Sequence, residues 1–526
     1  MNYIKTLRIT GFKKFASLQI DFNEHMNILV GENEAGKSTV LDAIRTVLNQ
    51  QYRNADKAVL KDLFNREMVE AFLADPRIET LPKVVIEAEL ILNPKGKDSE
   101  YFYGEIYGER KPKESKYGIR FECAFNEELG YGLAQSIQEG NIPYEYYSLS
   151  WKTFGNKPYY YVKRPLQFIS VDTSNSGTAS SFNYYNRTLF SSKYDPATQT
   201  KAKNDFRVKL EKAFDEIDLP SIDEHRRFGV DGKKVILETI LSVYEDSIAL
   251  ENRGSGMESL IKTQITLDKK NGLDVILIEE PENHLCYANL RTMLNEISIR
   301  QATSQLIIST HSNMIASGLN LNNVLWIAND RVVSLKSVER TVADFFVTAN
   351  NNGFLQLLLS KKAFLVEGAT ECLLLPLFYE QLVGNRIEED GINIISCNGI
   401  SYKKYLSIAK ETGKRIAVIT DNDKKQRRID EAAEFNRHNT NQHIFMSSKV
   451  EEWTWEYCVY QINQSLLDSM MEFKPGADYL FHGEDYGQAV GYMLNHKVEI
   501  AYQMLLSGKS FEVPKYVKEA ITWLNK

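Results

Sequence analysis

The chain contains little cysteine and no membrane-length apolar run, and each absence excludes a class of protein. Five cysteines in 526 residues form no C-x-x-C pair, which argues against both a disulfide framework and a zinc site. No apolar segment is long enough to cross a bilayer, and the first residues, MNYIKTLRITGFKKF, do not resemble a secretory signal. We therefore expect a reduced, cytoplasmic protein without a membrane partner.

The chain also has no excess of positive charge, since 63 lysines and arginines face 70 aspartates and glutamates. The net charge is −7 and the isoelectric point is near 5.8, which argues mildly against a protein that coats DNA. DNA binding stays compatible with this charge, because a cation-dependent nuclease needs acidic residues at its metals and only a local basic track for the DNA backbone. The length predicts two to four domains.

The first informative motif is GENEAGKS, which fits G-x-x-x-x-G-K-[ST] and lies between the apolar strand MNILV and the helical segment STVLDAIRTVL. In that context backbone N–H groups cradle phosphate oxygens, Lys37 reaches the β- and γ-phosphates and Ser38 ligates Mg²⁺. A chance glycine-rich turn would not require these flanking elements. The predicted nucleotide-binding residues of this loop are Gly31, Asn33, Gly36, Lys37, Ser38 and Thr39.

Three further segments fit a nucleotide site. The strand VILIEEPENHL ends in Glu279 and Glu280, which can hold Mg²⁺ and activate water. His311 follows the strand LIIST and could contact the γ-phosphate, and Gly254-Ser255-Gly256 precedes a helix and could cap a phosphate of a partner subunit. A lone histidine or a G-S-G is more often structural, so the order of the segments carries the prediction.

A second set of acidic residues follows two predicted parallel strands. Glu367 and Glu371 lie in VEGATE, and Asp421 and Asp423 lie in DND. Because the carboxyl ends of parallel strands converge at one sheet edge, these carboxylates would repel one another without a divalent cation. Two such ions can activate water and stabilise the leaving oxygen of a phosphodiester. Separately, the segments also fit helix-terminal charges and a turn. Together with the phosphate loop, they indicate a nuclease or related nucleic-acid enzyme under nucleotide control.

A basic cluster comes directly after DND. Its residues could hold a DNA backbone beside the metals, although a solvated helix face explains the cluster equally well. The residues are Lys424, Lys425, Arg427 and Arg428.

The overall pattern predicts an α/β protein. Residues from about 84 to 171 read as antiparallel strands, and 181–225 as a polar insertion that is loop-like up to a short amphipathic helix, FRVKLEKAFDEI. KKAFLVEG, INIISCNG and RIAVITDND read as parallel strands of a small α/β domain, followed from about 462 by a mostly helical tail.

GENEAGKST resembles the phosphate loop of ATP-binding-cassette ATPases of the RecF and SMC type, in which asparagine is typical at the Asn33 position. LIEEPENHL resembles their Walker B segment and D-loop, STHS their H-loop, and G-S-G the signature motif that completes the partner's ATP site in a head-to-tail dimer. Glu279 replaces the usual aspartate, which implies altered metal geometry and slow hydrolysis. The long coiled-coil arms of SMC proteins are absent.

The carboxylate set resembles the Toprim fold, and the two parts together resemble the OLD (overcoming lysogenization defect) nucleases over nearly the whole chain. That resemblance assigns metal binding to Glu367, Glu371, Asp421 and Asp423. It also implies a downstream glutamate and a catalytic lysine. Glu456 and Lys497 match best, and the rivals are Glu451, Glu452 and Lys509.

The resemblance therefore implies an ABC-type ATPase domain with an antiparallel β subdomain, followed by a Rossmann-like Toprim domain with a helical tail. The expected parts are ATPase halves at 1–180 and 226–348, a possible dimerisation insertion at 181–225, a Toprim domain at 358–465 and a helical region at 466–526 that completes it.

The implied activity is a DNA endonuclease with Mg²⁺ or Mn²⁺ at two sites, regulated by ATP. It would form a homodimer or higher oligomer and act in bacterial defence against phage, with a helicase or a retron reverse transcriptase as possible partner. The alternative is a RecF-like repair or recombination ATPase without nuclease activity. A topoisomerase or primase would need further modules that the sequence does not show.

Overall fold

The computed structural model describes the chain except residues 97, 106–114, 129–132, 161–163, 173–184, 188, 192, 232–234, 267–271, 284, 301–303, 329–330, 349–352, 398–401, 473 and 475–477. It divides into two compact units, each described by itself. The first comprises Met1–Leu319 and Asn323–Ser334, and the second Asn320–Asn322 and Leu335–Lys526. Among the described residues, no helix has both the length and the apolar character needed to span a membrane.

The strands of the first unit are β1 (Tyr3–Phe12), β2 (Phe15–Asp21), β3 (Met26–Val30), β4 (Val84–Ile91), β5 (Tyr103–Glu105), β6 (Ser115–Phe125), β7 (Tyr147–Thr153), β8 (Phe168–Asp172), β9 (Tyr244–Glu245), β10 (Ile248–Ala249), β11 (Val275–Glu279), β12 (Gln305–Ser309), β13 (Val324–Ala328) and β14 (Arg331–Ser334). Its helices are α1 (Lys37–Asn49), α2 (Arg66–Ala74), α3 (Ala134–Gln138), α4 (Pro196–Asp215), α5 (Leu237–Ile240), α6 (Ser255–Thr266), α7 (Tyr287–Arg300) and α8 (Asn313–Gly318).

The strands of the second unit are β15 (Lys362–Val366), β16 (Ile392–Ser396), β17 (Arg415–Ile419) and β18 (Gln442–Phe445). Its helices are α9 (Arg340–Thr348), α10 (Gly353–Leu359), α11 (Ala369–Val383), α12 (Tyr402–Thr412), α13 (Gln426–His438), α14 (Trp455–Asp468), α15 (Gln488–Asn495), α16 (Lys497–Leu506) and α17 (Lys515–Asn525).

The first unit is built on two larger sheets. One is antiparallel, in the order β2-β1-β4-β6-β5 with β7 paired to β6. The other, in the order β14-β13-β3-β12-β11-β8, is parallel except for the β13–β14 pair. Helix α1 buries one apolar face in the core formed with the antiparallel sheet, as its sequence spacing predicts. The buried residues of that face are Val40, Leu41, Ile44, Val47 and Leu48.

The structure corrects the prediction for the end of the antiparallel region. The segment up to Val171 does not continue the antiparallel set, because β8 pairs in parallel with β11, with Val171 opposite Ile278. A short apolar run such as FISV has the same composition in either kind of sheet, so sequence pattern cannot assign its partner.

The insertion also differs from its prediction. Its helix α4 begins at Pro196 rather than near Phe206, so part of the segment predicted to be a loop is helical. Asp195 caps this helix by accepting hydrogen bonds from the N–H groups of Ala197 and Thr198, and proline is favourable in the first turn.

The second unit contains a parallel sheet in the order β16-β15-β17-β18. Three of these strands were predicted, and β18 was not. Phe364 and Val366 on β15 and Ala417 and Ile419 on β17 pack into the core of this unit. The sheet therefore presents the residues that follow β15 and β17 at one edge.

Candidate nucleotide and metal sites

The phosphate loop joins β3 to α1, and its glycines are required by space and conformation. Gly36 has φ of 100° at the start of α1, and a Cβ atom there would lie 2.3 Å from the ring of Phe15. A Cβ atom on Gly31 would lie 2.7 Å from the carbonyl oxygen of Ile327. The backbone can therefore turn tightly before the helix, with Asn33 in the loop and Ser38 and Thr39 in the first turn of α1.

Lys37 is buried at the start of α1. Its Nζ donates hydrogen bonds to the carbonyl oxygens of Gly31, at 3.0 Å, and Glu32, at 3.1 Å. Burial lowers the pKa of Lys37 to about 8, against the opposing effect of nearby carboxylates. An anionic phosphate would favour the charged form of this amine.

Glu279, at the end of β11, is held by an ion pair that the sequence did not reveal. Its Oε2 accepts a hydrogen bond from Nη2 of Arg45 at 2.8 Å. Arg45 also donates to Asp42 Oδ1 at 2.9 Å and to Ser170 Oγ at 3.0 Å. No motif pairs these positions, which come together only through the packing of α1 against the parallel sheet. The network fixes the orientation of the carboxylate predicted to hold Mg²⁺.

Glu280 and His311 lie together beside this strand end. Oε1 of Glu280 is 3.6 Å from Nε2 of His311, and Oε2 accepts from Nδ2 of Asn283 at 2.9 Å. Burial, followed by the charge of Lys37, lowers the pKa of His311 despite Glu280. A neutral imidazole and a carboxylate can together orient water near a phosphate.

The predicted signature residues lie at the amino end of α6. The backbone oxygen of Gly254 accepts the hydrogen bond from Glu258 N at 3.0 Å, and Gly256 is within the first turn. A Cβ atom on Gly254 would meet nothing within 4 Å, so nothing within the chain crowds this turn. The Ser255 side chain lies outside the described part, and the role of these residues in a partner's site stays a prediction.

The carboxylate cluster forms where β15 and β17 end. Glu367 follows β15, and its Oε1 accepts from the backbone N of Asp421 at 3.3 Å and from the Thr420 hydroxyl. Asp421 Oδ1 accepts from Trp455 N at 2.8 Å, at the start of α14. The strand ends and the first turn of α14 thus converge on one point.

Electrostatics show that these carboxylates share one environment. Burial, followed by the charges of Glu367, Glu456 and Glu371, raises the pKa of Asp421 well above its usual range. Burial likewise raises the pKa of Glu371 to about 7, with Glu456 and Glu367 adding to the effect. Buried carboxylates that repel one another are a suitable oxygen donor set for a hard divalent cation.

Lys497 joins this cluster. Its Nζ lies 3.1 Å from Oε1 of Glu456, and Glu456 Oε2 accepts from the Thr454 hydroxyl at 2.5 Å. Of the rival residues, Glu452 pairs with Lys449 at 2.6 Å. Glu451 and Lys509 are exposed. The structure therefore brings Glu456 and Lys497 together beside the other carboxylates.

Asp423 and two arginines of the basic cluster take part in ion pairs. Arg428 pairs with Asp423, and its Nη2 lies 3.7 Å from Oε1 of Glu367. Arg427 pairs instead with Glu431 at 2.7 Å, and Lys425 directly precedes α13. In the described part of the chain, no three histidine, cysteine, aspartate or glutamate side chains already form a metal-ligand set. The donor chemistry fits a metal, while Arg428 compensates two of the predicted ligands.

Beside the carboxylates lies a cavity of about 780 Å³. Glu367, Asp423 and Arg428 line its polar side with Tyr402, and Leu365 contributes to its apolar wall. This space can admit part of a substrate to the cluster.

The family model of the AAA domain matches residues 6–315, more than half of the chain. The chain belongs to this AAA domain family. A second model, described as "Overcoming lysogenization defect protein-like, TOPRIM domain", matches residues 358–423. The predicted fusion of an ATPase domain to an OLD-like Toprim domain is therefore confirmed. The Toprim match contains Glu367, Glu371, Asp421 and Asp423, but it ends before Glu456 and Lys497.

The curated relatives of this AAA protein match it over short segments. Chromosome partition protein Smc of Fusobacterium nucleatum is 46% identical over 54 residues, which cover 10% of this chain and 5% of that protein. DNA replication and repair protein RecF of Clostridium acetobutylicum is 39% identical over 61 residues, covering 11% and 17% respectively. The chain thus spans a small part of the length of these relatives.

Solved structures show weaker likeness. An SMC head bound to the C-winged helix domain of ScpA has 14% identity and a TM-score of 0.35, covering 64% of this chain and all of that one. The recombination mediator protein RecF has 12% identity and a TM-score of 0.33, covering 64% of this chain and 98% of that one. The sheet topology and the family matches establish the fold class, and they agree with the predicted ATPase and Toprim architecture.

Proposed function

We propose that this protein is a metal-dependent DNA endonuclease controlled by its ATPase domain. The observation that supports the nuclease is the gathering of Glu367, Glu371, Asp421 and Glu456 with Lys497 at one sheet edge. A site that only supported the fold would not be expected to bury several acidic groups whose charges oppose one another.

The carboxylates would hold Mg²⁺ or Mn²⁺, which supplies water activation and stabilises the leaving oxygen of a phosphodiester. Lys497, oriented by Glu456 at 3.1 Å, would stabilise charge developing on the scissile phosphate. Arg428, which already lies at the cluster, could exchange its carboxylate contacts for a DNA phosphate.

In the ATPase domain, the phosphate loop and Lys37 would bind ATP, and Ser38 and Glu279 would hold its Mg²⁺. Glu280 would accept a proton from the attacking water, with His311 close to the γ-phosphate. Gly254, Ser255 and Gly256 of a second copy would complete the site, which makes a homodimer part of this proposal.

We place this activity in the cytoplasm, in bacterial defence against phage. The match to the OLD-like Toprim domain supports the role in defence. A helicase or a retron reverse transcriptase with its nucleic acid is the partner that the OLD resemblance suggests.

The test is cleavage of supercoiled plasmid and linear phage DNA in Mg²⁺ or Mn²⁺, with and without ATP. We expect metal-dependent cutting that is lost in Glu367→Ala and kept in Glu451→Ala, since Glu451 is an exposed acidic control. Lys37→Ala shows whether nucleotide activates or restrains cutting. Equal cutting by native protein and Glu367→Ala would contradict the proposed site.

A second candidate, a RecF-like DNA repair or recombination ATPase, is favoured by the local identity to RecF. It predicts ATP hydrolysis that is lost in Lys37→Ala, with no DNA cleavage under any metal condition. Hydrolysis without cleavage would favour this candidate over the nuclease.

A further inference from the structure

Two aromatic rings that contact each other share a lysine directly beside the carboxylate cluster. Nζ of Lys424 lies 4.8 Å from the ring centre of Trp453 and 4.5 Å from that of Tyr486. The two rings are 5.0 Å apart with an interplanar angle of 36°. The Tyr486 hydroxyl also contacts Lys424 Nζ at 2.9 Å. We call Trp453, Tyr486 and Lys424 the aromatic platform.

The platform is tied to the predicted metal ligands by the backbone. Asp423 N donates to the carbonyl oxygen of Trp453 at 3.2 Å, and Lys424 is the next residue after Asp423. Trp453 lies two residues before Trp455, whose N–H donates to Asp421. A base on the platform would therefore be a neighbour of a phosphate at the carboxylates.

The segment that carries Tyr486 also contacts a second lysine of the cluster. Phe481 lies on this segment, and Lys497 Nζ is 5.4 Å from its ring centre. Lys497 in turn pairs with Glu456. One exposed segment thus places an aromatic ring beside each of the two lysines that flank the carboxylates, Lys424 and Lys497.

The rings are not explained by core packing. Trp455 is 1% exposed and belongs to the apolar core of this unit, whereas Trp453 and Tyr486 are half-buried and lie outside that core. Aromatic rings interleaved with basic side chains bind single-stranded nucleic acid, because every base can stack on a ring while cations contact the backbone. A duplex keeps its bases stacked inside and offers the rings no base face.

We propose that the aromatic platform stacks unpaired bases, so that the substrate is single-stranded or locally unpaired DNA. The proposal rests on the nuclease function proposed above and names its substrate class. Lys424 would contact the adjacent phosphate in exchange for Glu484, whose Oε2 lies 3.5 Å from its Nζ. Glu484 therefore acts as an internal competitor for the DNA backbone.

The test is fluorescence anisotropy of the full-length protein with labelled oligo(dT) and with a duplex of equal length, in EDTA to prevent cutting. We expect oligo(dT) to bind more tightly, and Tyr486→Ala or Trp453→Ala to weaken it roughly tenfold or more with little change for duplex. Tyr486→Phe keeps the ring and should bind nearly as the native protein does. Glu484→Gln should bind more tightly, because it releases Lys424.

Tyr502→Ala, which removes an exposed tyrosine from α16, is the control for general surface effects. Thermal melting of each variant separates lost stacking from lost folding. Oligo(dT) binding that is unchanged in both Tyr486→Ala and Trp453→Ala overturns the platform, even if plasmid is cut. If Tyr486→Ala and Trp453→Ala lose oligo(dT) binding selectively while no form of the protein cuts DNA, the platform is supported and the nuclease function is contradicted.

Discussion

At the scale of single residues, Glu371 is the clearest link between burial and chemistry. Burial, reinforced by Glu456 and Glu367, raises its pKa from 4.5 to about 7. A carboxyl group whose pKa is raised by folding makes its full contribution to stability at pH values below the pKa that it has in the unfolded chain. That contribution is lost as the pH rises through the folded pKa. Below about pH 4.5 the protonated group is favourable, and above pH 7 its charge is buried.

This predicts that, without metal, the free energy of unfolding of Glu371→Gln minus that of native protein is larger at pH 8 than at pH 5. The difference is on the order of 3 kcal/mol, at about 1.4 kcal/mol per pKa unit. Urea denaturation at both pH values in EDTA measures it. Glu472→Gln, at an exposed position, is the control. Parallel pH dependence in Glu371→Gln and native protein would show that this carboxyl group is not perturbed.

The same residue predicts how metal binding responds to pH. Because a cation must displace the proton of Glu371, Mg²⁺ or Mn²⁺ should raise the melting temperature more at pH 8 than at pH 6. The pH effect should shrink in Glu371→Gln, which has no proton to lose. An equal metal-induced shift at both pH values would count against Glu371 as a ligand.

At the scale of elements, Arg45 connects α1 to the middle of β8, through Ser170, and to the end of β11, through Glu279. It is 14% exposed and pairs with Glu279, which is 8% exposed, so removing it takes away a positive charge that compensates a buried carboxylate. We expect Arg45→Met to cost about 3–5 kcal/mol of unfolding free energy, measured by urea denaturation. Arg66→Ala is the control, since Arg66 pairs with Glu70 at a largely exposed site where ion pairs contribute little. Comparable losses in both variants would contradict the importance of this network.

The turn that begins α1 gives a second prediction at this scale. Gly36→Ala places Cβ 2.3 Å from the Phe15 ring, in a backbone conformation that costs alanine about 1–2 kcal/mol before the ring moves. We expect a lower melting temperature and weaker ATP binding, by calorimetry. Gly229→Ala should change neither, because a Cβ there meets nothing within 4 Å. Normal ATP binding by Gly36→Ala would show that the loop tolerates a different turn.

At the scale of the whole molecule, the proposed nucleotide site is shared between two copies. ATP should therefore drive dimerisation, measured by sedimentation velocity. Glu280→Gln should keep the ATP-bound dimer by slowing hydrolysis, whereas Lys37→Ala should remain monomeric. Ser255→Arg should block dimerisation while ATP binding is retained. A sedimentation coefficient that does not respond to ATP in Glu280→Gln would contradict the shared site.

The local parts of both sites could be predicted from neighbouring residues alone. The phosphate loop lies between a strand and a helix, and the acidic residues follow apolar strands. Such features need only neighbouring residues, whose spacing and apolar pattern fix them. The family matches also come from the sequence, over residues 6–315 for the AAA domain and 358–423 for the OLD-like Toprim domain.

Which distant residues meet could not be predicted in this way, because it depends on long-range packing. Packing pairs Arg45 with Glu279, places Lys497 beside Glu456 and puts β8 into the parallel sheet. It also brings Tyr486 to Trp453. These contacts join segments far apart in the chain, where composition and periodicity are the same for many pairings. Burial and long-range packing select one of them.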